Sequence, residues 1–156
     1  MLYNACLWLH IIGISLMAGS TVVDFMLTRK FWAIYHLQPQ EGILARKITA
    51  RVSSLIMAGI IIILISGIGM MVATRGVFGS MLWFRIKMIL VLVVIANGIV
   101  MGRRLGLQLK KVLVPAGHQL PDELSLMPLR KGLNRFHISQ LILFLIIFLL
   151  STFKFN

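Results

Sequence analysis

The sequence predicts an all-α integral membrane protein, a four-helix up-down-up-down bundle with both termini outside. Three observations lead there. Of the 156 residues, 59% are hydrophobic and only 13% charged, whereas soluble domains run near half apolar and about a quarter charged. The mean hydropathy is +0.95. The apolar residues gather into four runs, about 5–27, 52–73, 82–101 and 136–153, each close to the ~20 residues that cross ~30 Å of hydrocarbon. Only helices satisfy their own backbone in lipid at these lengths, so the runs are read as spanning helices of a single transmembrane domain, residues 1–156.

The first run opens "MLYNACLWLH" and has no Lys or Arg before Arg29. A cleaved signal peptide would carry a basic start, so this run is expected to be a retained span. Cys6 is the only cysteine, which leaves no internal disulfide and no CxxC motif. A connection over 28–51 follows, with "FWAIYHLQPQEG" placing aromatics at the interface. The second run contains Gly59, Ser66, Gly67 and Gly69, small residues suited to close helix packing. "TRGVFGS" (74–80) ties it to the third run. After that comes the longest connection, 102–135. Its start, "RRLGLQLKKVL", is expected either to extend the third helix or to lie on the membrane as an amphipathic helix. "VPAGHQLPDELSLMP", with Pro115, Gly117, Pro121 and Pro128, is expected to be loop.

The net charge of +12 does not indicate nucleic acid, because the basic residues concentrate in the two long connections. Arg29, Lys30, Arg46, Lys47 and Arg51 lie in one; Arg103, Arg104, Lys110, Lys111, Arg130, Lys131 and Arg135 lie in the other. The positive-inside rule makes both connections cytoplasmic and both termini periplasmic in a bacterial inner membrane. The partner implied is the lipid bilayer, with anionic headgroups against the basic connections. A homo-oligomer or a larger membrane complex remains open.

Intramembrane polar groups are costly, and each is a candidate for function. His10, Gly13, Met17, Ser20 and Asp24 recur at spacings of three and four, so they share one face of the first helix. Asp24, just before Thr28, Arg29 and Lys30, is expected to pair with a basic side chain there. "LWFRIKMILVL" opens the third run; Arg85 and Lys87 project to nearly opposite sides, one toward the interface and one into the bundle. His10 and Lys87 (or Arg85) are expected to share an outer layer, with Met70, Met71 and Met88 at similar depth. His137 begins the fourth run at the opposite end. Judged from the 14 residues between His10 and Asp24, it lies about 20 Å from His10 along the bundle, too far to share one iron. Asn97 is read as interhelical hydrogen bonding.

Two segments carry a family resemblance. Leu9-His10-Ile11-Ile12 with Ser15-Leu16-Met17-Ala18-Gly19, and Trp83 with Lys87 followed by "MILVLVV", resemble the HemJ-type protoporphyrinogen IX oxidases. These are small bacterial membrane proteins with a four-helix core. The resemblance implies that His10 is the haem-linked histidine, Lys87 the intramembrane lysine, haem b the cofactor, and oxidation of protoporphyrinogen IX the reaction. On that reading Lys87 and Arg85 hold carboxylates as catalytic residues, while His10 and Met17 bind the cofactor, His10 on the iron. The chain departs from the family where "TVVDFML" replaces a Leu-Pro-Arg segment. It departs again where "LNRFHISQ" lacks an expected Glu and Pro, and where Arg85 stands in place of a histidine. The opening also resembles CopD-like and uncharacterised four-helix membrane families. Two other functions therefore stay open: a non-catalytic accessory subunit of a larger membrane complex, and a copper or small-solute permease.

Overall fold

The computed structural model describes residues 1–49, 52–113 and 123–153. It is helical in six segments: α1 (Leu2–Leu37), α2 (Pro39–Thr49), α3 (Val52–Ala73), α4 (Leu82–Asn97), α5 (Arg103–Leu113) and α6 (Glu123–Thr152). A short 3-10 turn (Val77–Ser80) leads into α4, and one π turn (Gly98–Gly102) carries α4 straight on into α5. Among the described residues, four helices are long and apolar enough to cross a membrane: Leu2–Leu37, Val52–Ala73, Leu82–Lys111 and Leu126–Thr152.

α1 and α3 are held by small residues rather than large ones. A Cβ at Gly13 would lie 2.9 Å from the Ile62 and Ile63 side chains, and one at Gly59 would lie 2.8 Å from the Met17 backbone nitrogen. Cys6 meets Gly69 and the His10 ring meets Gly67. The partners on α3 descend from 69 to 59 as those on α1 rise from 6 to 17, so the two helices are antiparallel. This suits lipid, where apolar surface alone gives helices no reason to associate and close backbone approach supplies the packing.

Large apolar residues take over at the other end of α1. At 36 residues the helix is about 54 Å long, well beyond the ~30 Å of a hydrocarbon core. Phe31, Trp32 and Tyr35 on its projecting part form one buried cluster with Leu105 and Leu109 of α5 and Leu126, Leu129 and Leu133 of α6. There water supplies an ordinary hydrophobic driving force.

The connections expected as loops are therefore mostly helix. Residues 28–37 continue α1, because Arg29 and Lys30 mark an interface without breaking a helix. The break comes at Gln38 (φ −142°, ψ 87°), the residue before Pro39, where proline disfavours the α conformation. α2 then folds back so closely that a Cβ on Gly42 would lie 2.9 Å from the Tyr35 Cα. "RRLGLQLKKVL" extends the third span as α5, the first of the two expected arrangements. α6 begins at Glu123 and runs through Pro128, which removes only one helical hydrogen bond from an early turn. Pro115, Gly117 and Pro121 of the expected loop lie outside the described residues.

α4 packs against α6. Asn97 Nδ2 donates to Gln140 Oε1 (2.8 Å) and Ser139 Oγ (3.2 Å), and Gln140 Nε2 donates to the Val94 carbonyl (3.1 Å). Asn97 thus does join helices, as its place in an apolar run suggested. The exposed bases Arg29, Lys30, Arg103, Arg104, Lys110, Lys111, Arg130, Lys131 and Arg135 flank the large apolar cluster, so they share one end of the bundle.

Candidate functional site

Besides the Asn97–Gln140 bonds, two polar sites are built on α1, one around His10 and one around Asp24. The first is built on the α1–α3 seam. His10 is half-buried, and its Nδ1 lies 2.9 Å from Ser66 Oγ. Ser66, 1% exposed, sits 2.6 Å from the Ile62 carbonyl and 3.1 Å from that of Ile63. A hydroxyl has one proton. Two oxygens 2.6 Å apart need it between them, so Ser66 donates to the backbone and accepts from His10. His10 therefore carries its proton on Nδ1, and Nε2 keeps a lone pair. Gly67 faces the ring across α3: a Cβ there would stand 3.6 Å from His10 Cε1, an ordinary contact.

The structure brings Lys87 to this site and leaves Arg85 and Met17 further off. Lys87 on α4 is half-buried and near enough for its charge to be felt at His10. Arg85 is exposed and turns back to donate from Nε to the Gly79 carbonyl (3.0 Å). Met17 follows His10 by two turns of α1, about 10 Å along the axis, and packs on Gly59. Ser66, which the sequence suggested only as a packing residue, turns out to fix the orientation and tautomer of His10.

The second site joins α1 to α6. His137, 2% exposed, lies 3.0 Å through Nε2 from Asp24 Oδ2. Its Nδ1 lies 2.8 Å from the Leu133 carbonyl. A carbonyl only accepts, so Nδ1 holds a proton. Nε2 and the carboxylate then share one more, and the pair is neutral overall whichever partner holds it. Phe25 and Phe136 flank the imidazole, with ring centroids 5.6 and 5.2 Å away. The expectation that Asp24 pairs with a base from its own helix end is corrected. Arg29 lies instead over the Phe25 ring, 5.9 Å from its centroid, because on α1 it points away from the face that carries Asp24. One signal could have found the true partner: Asp24 near the end of the first run and His137 at the start of the fourth share a depth.

Among the described residues, no three His, Cys, Asp or Glu side chains gather as a metal-binding group. Comparison of the chain with protein-family models, curated proteins and solved structures gives no match.

Proposed function

We propose that the chain is a membrane-embedded, haem-associated oxidoreductase resembling the HemJ-type protoporphyrinogen IX oxidases. In this reading it is a four-helix up-down-up-down bundle in a bacterial inner membrane, with both termini periplasmic. The gathering of exposed bases at the opposite end supports that orientation. The observation that carries the function is the His10–Ser66 hydrogen bond. By holding the proton on Nδ1 it leaves Nε2 as a ligand atom of fixed direction, the arrangement in which metal-bound histidines are set by a hydrogen bond to their other nitrogen.

The residues present fit a haem on three counts. His10 offers a neutral imidazole nitrogen, the seam walls beside it are apolar, and Lys87 supplies a cation near it for a carboxylate. Haem b, when bound, takes up electrons one at a time from a reduced substrate. His10 would hold the iron, and Ser66 would keep the imidazole from rotating or changing tautomer. Lys87 would bind a carboxylate of haem or substrate; Arg85 would do so at the rim after releasing the Gly79 carbonyl. Met17, two turns away, would close the apolar wall below.

Membranes containing the protein are expected to turn non-fluorescent protoporphyrinogen IX into its fluorescent product faster than membranes lacking it. Lys87→Ala and His10→Ala should each reduce that rate by about 10²-fold or more. Equal rates for wild type and His10→Ala at matched expression would refute the assignment.

A further inference from the structure

The projecting half of α1 contains three buried polar atoms that no group among the described residues satisfies. Thr28 Oγ1, Trp32 Nε1 and the Tyr35 hydroxyl have no hydrogen-bond partner among the described residues, although these residues are only 4%, 4% and 6% exposed. Spacings of four and three put them on one face of α1, and Asp24 continues that face one turn earlier. The leucines packed against them offer no acceptor. Orphaned polar groups on this scale are exceptional in folded proteins, and ordered water is what ordinarily satisfies them.

We propose that Thr28, Trp32 and Tyr35 line a file of internal water that carries protons between the basic end of the bundle and the Asp24–His137 pair. The proposal stands apart from the reading of His10. Successive groups rise by about 6, 6 and 4.5 Å along the helix, and one or two waters bonded in series at about 2.8 Å span such a step. The indole only donates, whereas the two hydroxyls donate and accept. Water, which does both, satisfies all three. At the inner end Asp24 Oδ2 is engaged by His137, and Oδ1 has no protein partner among the described residues, so it is free to meet the last water. At the outer end Arg130 contacts His36 (3.1 Å). Arg29, next to Thr28, and Glu41, next to the Gly42 that packs on Tyr35, are further ionisable groups at this end.

A proton arriving from bulk water forms one O–H bond at Asp24 Oδ1. The neutral pair then becomes a carboxylic acid beside an imidazolium, with a charge of one. Departure by the same route restores the pair, so no other reactant is involved. Proton relay is one of the established uses of paired Asp and His groups inside membrane proteins.

The test is deuterium exchange in the ¹⁵N-labelled full chain in detergent micelles, read at the Trp32 indole N–H and the His137 ring N–H. Both should exchange at least about tenfold faster than the hydrogen-bonded backbone amides of Phe31 and Leu133 beside them. Thr28→Val and Tyr35→Phe, which remove single polar atoms without changing shape, should each slow exchange at His137 while leaving those amides unchanged. Slow exchange in the wild type, or variants that exchange like it, would overturn the proposal. If one variant fails to fold, the other decides. A melting temperature raised by both substitutions would likewise show the three groups to be dry and would overturn it.

Discussion

His137→Ala is expected to destabilise the protein by about 3–5 kcal/mol, the usual consequence of removing one partner from a buried ion pair. His137 is 2% exposed, and its loss leaves Asp24 facing an apolar gap between α1 and α6. Asp24→Asn should cost far less, about 1 kcal/mol. The amide can donate to Nε2 of a neutral imidazole whose other nitrogen still donates to the Leu133 carbonyl. The charge disappears and both hydrogen bonds remain. Replacing both residues with leucine should cost less than the two single losses combined, since neither group is then left unpaired. Denaturant titration in micelles, following the near-ultraviolet signal of the aromatic cluster, reads all three variants. A cost for Asp24→Asn equal to that of His137→Ala would mean that charge, and not hydrogen bonding, holds the pair.

Gly59→Leu is expected to separate α1 from α3. Even the first added carbon would lie 2.8 Å from the Met17 backbone nitrogen and 3.0 Å from the Gly13 carbonyl oxygen, and backbone atoms cannot rotate aside. Gly59→Ala should therefore cost about 1–3 kcal/mol, and leucine more. Gly67→Ala is the control. Its Cβ meets the His10 ring at 3.6 Å, an ordinary contact, and alanine is the better helix former by about 1 kcal/mol, so stability should hold or rise slightly. The Gly59 variants should also loosen the His10–Ser66 bond two turns along the seam. Equal stability of Gly59→Leu and Gly67→Ala would show that the seam does not depend on close approach.

The spans and the His10 stripe were legible because membrane thickness and helical periodicity both act along the chain itself. His10, Gly13, Met17 and Asp24 needed only their spacing to be placed on one face, and Lys87 only its depth to be placed near His10. The partners were harder to read. Ser66 looks like one more small residue in a glycine-rich helix until the antiparallel register sets it against His10. Asp24 had two nearby bases, Arg29 and Lys30, to choose from, and only the meeting of α1 with α6 selects His137. The projecting half of α1 was missed for a different reason. Basic residues mark where a helix leaves the lipid, and nothing in that mark requires the helix to stop. Its continuation is fixed by Phe31, Trp32 and Tyr35 burying against leucines some 75–100 residues away in sequence.

The most direct test of the functional account is the absorption spectrum of the detergent-purified protein from haem-replete membranes. The account predicts a Soret band that His10→Ala abolishes and Ser66→Ala weakens, because Ser66 orients the ligand without being one. A colourless wild-type protein, or a Soret band undiminished in His10→Ala, would contradict it.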